Sequence, residues 1–167
     1  TLKALGDVSS MEDEYGRAHE YYGQALPVYE AIGARLGAAN TLKALGDVAS
    51  MENEYVRARE YYGQALPVYE AIGDRLGAAN TLKALGDVSS MENEYVRARE
   101  YYGQALALGE AIGDFPVRLN VLANLARLEK ALDNHTASCD YYRKTLALAD
   151  SHPFFKTQSI VEDWRRE

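Results

Sequence analysis

The chain has 167 residues, 47% of them hydrophobic, and a net charge of −7. That is enough polypeptide for one sizeable core. The acidic balance argues against nucleic acid as the main ligand, because phosphate binding needs a Lys/Arg excess on one face. It also makes an anionic membrane surface a poor partner, and no apolar run approaches the roughly 20 residues of a membrane span. Tyr is abundant at 13 residues against 3 Phe, a composition suited to close helix packing with phenol hydroxyls at the rim. Cys139 is the only cysteine, so no internal disulfide can form. It reads as a small buried hydrophobe in a cytoplasmic protein.

Self-comparison organises the rest. Thr1–Val8 returns unchanged at Thr41–Val48 and Thr81–Val88, a period of 40 residues. Residues 1–40 and 41–80 differ only at 9, 13, 16, 19 and 34, and residues 41–74 and 81–114 only at 49, 67, 68 and 69. A degenerate fourth copy starts at Val121 and keeps Leu122, Leu125, Tyr141, Tyr142 and Leu146. The opening Thr1-Leu2-Lys3 falls inside the recurring pattern. The chain is therefore expected to be a piece of a longer protein.

In chain order, each copy carries two helical patterns. One runs from about Glu54 to Ile72, where Tyr55, Ala58, Tyr62, Ala65, Leu66, Tyr69 and Ile72 trace one face. The next runs from about Arg75 to Met91, with Leu82, Leu85, Val88 and Met91 as its apolar stripe. Between them, Gly73 reads as a left-handed helix end and Asp74 as an N-cap. Met51-Glu52-Asn53-Glu54 joins the two helices of one copy, Asn53 being a residue that accepts positive φ cheaply. Pro67 falls inside the second helix with Gly63 four residues earlier, which predicts a tolerated kink. His152-Pro153 ends the last repeat helix early. A final segment, Phe154–Glu167, puts Phe155, Ile160, Val161 and Trp164 on roughly one face and reads as a capping helix. No strand-like alternation occurs, and no single hairpin can bury its apolar face alone, so the copies must stack into a continuous core.

Leu42, Leu45, Gly46, Ala49, Tyr55, Ala58, Tyr62, Ala65 and Leu66 fall on the signature spacing of tetratricopeptide repeats. The chain resembles that family over residues 1–151. The 40-residue period, with Ile-Gly-Asp-Arg-Leu-Gly at the junction, is similar to the long-helix repeats of kinesin light chains, cell-polarity adaptors and NACHT- or NB-ARC-type signalling ATPases. The resemblance implies a right-handed α-solenoid with repeats at 1–40, 41–80, 81–120 and 121–151, and a capping helix over 152–167. It also implies protein binding without catalysis, as a recognition or scaffold arm of a larger signalling protein.

The residues offer little chemistry of another kind. His19, His135 and His152 share no ligand spacing with Cys139 or one another, and zinc needs three or four clustered ligands. Carboxylates recur with the repeat, whereas a catalytic pair needs one unusual environment. The glycines do not follow a strand as a phosphate-cradling loop would. No cofactor, metal or catalytic residue is expected. Of the tandem tyrosines Tyr61-Tyr62, one member should pack in the repeat core and the other against the adjacent unit.

One polar stripe stands out. Asn40, Lys43, Asp47 and Ser50 share a helix face opposite Leu42 and Leu45, and recur as Lys3, Asp7, Ser10 and as Asn80, Lys83, Asp87, Ser90. The fourth copy changes it to Asn120, Ala123, Arg127, Lys130. A Lys at i and an Asp at i+4 can be no more than a solvated ion pair worth a few tenths of a kcal/mol. By the resemblance, these positions line the concave groove of a tetratricopeptide array, where Asn would hold a peptide backbone and the charges would set register. Asp47 stands where a carboxylate clamp wants Asn, which favours a ligand of alternating charge. Arg57 and Arg59 are expected on the outer surface. Two other readings remain: a structural spacer or self-assembling array, associating through an uncapped first repeat around Leu2, Leu5, Tyr22 and Tyr29, and an RNA-binding helical repeat.

Overall fold

The computed structural model describes residues 1–152, and all regular structure in that range is α-helix. Eight helices follow in order: α1 Leu2–Met11, α2 Tyr15–Ala31, α3 Arg35–Met51, α4 Tyr55–Ile72, α5 Arg75–Met91, α6 Tyr95–Ile112, α7 Phe115–Ala131 and α8 His135–Asp150. They form four antiparallel hairpins, α1/α2 to α7/α8, each packed on the next. The first helices of successive hairpins also touch, α1 on α3, α3 on α5 and α5 on α7. The second helices approach less closely. The array therefore curves with its first helices on the inside, the arrangement of a tetratricopeptide solenoid. The segment expected as a capping helix lies outside the described residues.

Two turn chemistries set this geometry. Within a hairpin, Asp13, Asn53, Asn93 and Asp133 take φ between 56 and 61°. The short polar side chain makes the left-handed conformation cheap. The Tyr55 hydroxyl then donates to Asn53 Oδ1 at 2.8 Å, and the Glu54 N–H to the Ala49 carbonyl at 2.8 Å, closing the turn. Between hairpins, Gly33, Gly73 and Gly113 adopt φ of 68–74°. Asp74 and Asp114 cap the following helices by accepting the Gly77 and Val117 N–H at 2.9 and 2.7 Å. Ala34 occupies the same place with no oxygen to offer, and α3 starts without a side-chain cap.

Close approach of the two helices in a hairpin depends on a large ring meeting a missing side chain. A Cβ on Gly46 would stand 2.5 Å from the Tyr62 ring, and Gly6/Tyr22 and Gly86/Tyr102 repeat the match. In the fourth hairpin the glycine becomes Ala126, and Tyr142 is correspondingly only half-buried. Between hairpins, Tyr69 covers Gly77 in the same way; one unit later the sizes are exchanged, and Val117 packs on Gly109. The exchange keeps the close approach, although valine fills less space than the tyrosine it replaces.

Pro67 lies on the exposed side of α4, and the helix continues through it to Ile72. Two expectations need correction. Met91 is exposed rather than part of the buried stripe. Each three-residue step falls about 60° short of a full turn, so three steps carry Met91 to the side opposite Leu82. Cys139 is exposed rather than buried. It occupies the place of Arg59 and Arg99, on the side of a second helix that reaches toward the following unit.

Candidate protein-interaction groove

Of the fifteen residues of the predicted stripe, all but Lys130 line a pair of adjoining cavities along the first helices. One, of about 740 Å³, is lined by Lys3, Asp7, Asn40, Lys43, Asp47, Asn80, Lys83, Asp87 and Asn120. The other, of about 910 Å³, shares Lys83, Asp87 and Asn120 and extends to Arg127. Helix period explains the alignment. Positions three and four apart stack on one face, and hairpin stacking sets α1, α3, α5 and α7 side by side.

The expected ion pairs are formed. Lys3 Nζ donates to Asp7 at 2.9 Å, Lys43 Nζ to Asp47 Oδ2 at 2.8 Å and Lys83 Nζ to Asp87 Oδ2 at 2.7 Å. The aspartates have a second partner that the stripe alone did not reveal. Tyr22, Tyr62 and Tyr102 each donate a hydroxyl to Asp7, Asp47 and Asp87 at 2.8, 2.8 and 2.7 Å. Burial first, and then the neighbouring aspartate, push these phenols well above their ordinary range. They stay neutral donors. Tyr69 donates to Asn40 Oδ1 at 2.7 Å, and its own phenol is pushed up to about 12, chiefly by burial. Gly109 and Ala149 stand at the places of Tyr69 in the next two units, so Asn80 and Asn120 have no tyrosine of that kind.

At the far end the pattern changes. Asn124, unforeseen in the stripe, donates from Nδ2 to Asp87 Oδ1 at 2.7 Å, and Arg127 donates to Asn124 Oδ1 at 3.2 Å. A continuous chain thus runs from Arg127 through Asn124 to Asp87, Tyr102 and Lys83. The aspartate side chains remain more exposed than those of their lysine partners, 46%, 37% and 35% against 26%, 26% and 28%, and an ionised carboxylate has about four acceptor positions. The groove therefore presents both signs of charge as paired Lys and Asp, together with the Asn amides and the Arg127 guanidinium.

The outer surface differs from expectation in one respect. Arg57 pairs with Glu54 at 2.5 Å and is exposed. Arg59, however, crosses to the following hairpin, forming an ion pair with Glu92 and standing 3.4 Å from Glu94. Arg99 repeats the crossing to the buried Glu129 at 2.7 Å. These arginines join units and are not free outer charges. Tyr61 fits its expected second role, packing against the clusters of neighbouring units. His19 stands where Arg59 stands one unit later and lies 3.0 Å from Arg57 Nη2. Among the described residues, no group of three or more His, Cys, Asp or Glu could hold a metal ion, and no helix is long and apolar enough to cross a membrane.

Stacked helical hairpins with a polar groove along their first helices define an α-helical repeat solenoid. The chain belongs to the tetratricopeptide repeat family, whose model matches residues 1–71 and 38–111. No curated protein matches it. Among solved structures it is similar to BtubC (BKLC) from P. vanneervenii, with a TM-score of 0.83 at 18% identity over 91% of this chain and 65% of that one. It is also similar to the apo form of RapI, with a TM-score of 0.84 at 18% identity over 92% and 43% of the two chains. A Rap protein complexed with competence and sporulation factor gives 0.81 at 14% identity over 89% and 42%. The chain thus spans less than two thirds of each of these structures, and at such identities the likeness is one of fold.

Proposed function

We propose that the chain is a non-catalytic protein-interaction module. It holds an extended segment of a partner protein in the groove of α1, α3, α5 and α7, and serves as the recognition or scaffold arm of a larger signalling protein. The observation that carries this reading is the repeated polar ladder. Asn40, Asn80 and Asn120, the Lys3–Asp7, Lys43–Asp47 and Lys83–Asp87 pairs, and Arg127 line one continuous surface. An extended backbone offers a donor and an acceptor at every residue other than proline, which suits a surface of mixed donors and acceptors. The Rap protein with competence and sporulation factor supports the reading by fold analogy alone.

The test begins with peptides selected on the intact chain from a random display library. Their affinity is then measured by calorimetry against two double variants. Lys43→Ala with Lys83→Ala should weaken binding by roughly 1–3 kcal/mol, the range for charge-assisted hydrogen bonds. Arg57→Ala with Arg97→Ala, on the outer face, should change it little. The opposite ranking would place recognition on the convex side.

A further inference from the structure

We propose that the groove fits a partner segment in polyproline II form, with an acidic side chain on Arg127 and apolar side chains about three and six residues away on Met91 and Met51. This pattern rests on the groove being the binding surface, and it names what fills it. Arg127 marks a break in the ladder. Where the third unit has Lys83 and Asp87, the fourth has Ala123 and Arg127. Lysines and aspartates balance in the first cavity, whereas the second holds Lys83, Asp87 and the additional Arg127. Arg127 is exposed and, among the described residues, forms no ion pair. Asn124 stands between it and Asp87, accepting from Arg127 at 3.2 Å and donating to Asp87 at 2.7 Å. A guanidinium offers a planar fork of donors that matches a carboxylate. A single surplus positive charge suits that monoanion better than a phosphate, which carries nearly two negative charges.

The apolar half of the pattern comes from methionine. Met11, Met51 and Met91 are all the methionines of the chain, each the last residue of a first helix and each bordering the groove. Met51 and Met91 are 54% and 67% exposed, although α3 and α5 have first helices packed on both sides. No missing neighbour explains that exposure. Methionine is enriched at interfaces, and its flexible thioether moulds to apolar partners. The fourth unit has Ala131 at this place, so the apolar row ends at the unit that supplies Arg127. Spacing then selects the form of the segment. Packed helices lie about 8–10 Å apart, and a polyproline II helix advances about 9 Å in three residues, returning every third side chain to the same side. A β-strand covers about 10 Å in three residues but turns the third side chain to its opposite face. Polyproline II also leaves its backbone groups unbonded, free for Asn40, Asn80 and Asn120 along the groove.

The experiment selects peptides from a random display library on the full chain and measures labelled synthetic versions, with both ends blocked, by fluorescence anisotropy. The selected sequences should share an Asp or Glu with apolar residues about three and six positions to one side of it. Replacing that acid by its amide, or inserting one glycine between it and the first apolar residue, should weaken binding to the unaltered chain at least tenfold. In the chain, Arg127→Glu should weaken the acidic peptide and favour one carrying lysine in place of the acid. Met91→Lys should weaken both, with helix content unchanged. Peptides that respond to Lys43→Ala with Lys83→Ala but ignore Arg127→Glu, Met91→Lys and the inserted glycine would overturn this pattern and leave the groove reading standing. Binding lost when the peptide's own carboxyl terminus is blocked would overturn the assignment of Arg127 to an acidic side chain. Peptides that respond only to Arg57→Ala with Arg97→Ala, or a selection that yields no binder, would overturn both readings.

Discussion

Small differences between near-identical units act as substitutions already made by nature. Ala34 and Asp74 hold almost the same backbone, with φ, ψ of −78°, 72° and −79°, 85°. Only Asp74 caps its helix, accepting the Gly77 N–H. Ala34→Asp should therefore satisfy one orphan N–H of α3 and stabilise the protein by about 1 kcal/mol, read as a raised urea midpoint at constant slope. An unmoved midpoint would mean that the first inter-hairpin junction is built differently from the second. At this same scale the sequence concealed most. The pairing of Lys43 with Asp47 follows from local helix spacing, but the Tyr62 hydroxyl on Asp47 joins residues 15 apart on different helices. Only a hairpin already folded in register brings them together. The one available signal was that Tyr and Asp keep that offset in three copies. Arg59 was misplaced for a related reason: its partners Glu92 and Glu94 belong to the next unit.

The helices themselves were legible because their apolar spacing and their punctuation agree. Gly73-Asp74 ends one helix and starts the next, and Asn53 turns a hairpin through positive φ. A proline breaks the local rule inside two helices, Pro27 in α2 and Pro67 in α4, and the location of Pro67 shows how it is tolerated. Pro67 and Gly63 both lie on the exposed side, and a Cβ on Gly63 would meet nothing within 4 Å. The Gly63 carbonyl, which Pro67 cannot serve, has water at hand. Pro67→Ala restores the missing donor and copies Ala107 of α6. Since proline in a helix interior costs about 3 kcal/mol or more, the substitution should raise the denaturation midpoint or leave it unchanged. Loss of folding would show that Pro67 is required for the stacking of α4, against the continuous helix described above.

At the scale of the whole molecule, stacking places a column of buried phenols through successive hairpins: Tyr22, Tyr62 and Tyr102, with Tyr69 beside them. Each is held above the ordinary value of 10.0, and Tyr69 is pushed up to about 12. A raised folded-state pKa means that the contribution of the neutral phenol is complete below pH 10. It is lost as pH rises from about 10 through the folded value. Stability should therefore be level from neutral pH to about 9 and fall above 10, with Tyr69→Phe removing part of the fall between about 10 and 12. Urea midpoints from pH 8 to 11.5, followed by tryptophan-independent circular dichroism, check this. A decline beginning below pH 9 would point to groups other than these tyrosines.

Curvature also decides which surface a partner meets, since it gathers the four first helices and their polar side chains along one inner face. Photo-crosslinking with a selected peptide tests that claim most directly. A photoreactive residue is placed at Ser50, which lines the groove, or at Gln64, which is exposed on the second helix. The account predicts that the peptide is captured from Ser50 and that excess unlabelled peptide abolishes the capture, while Gln64 captures none. Specific capture from Gln64 with none from Ser50 would contradict it.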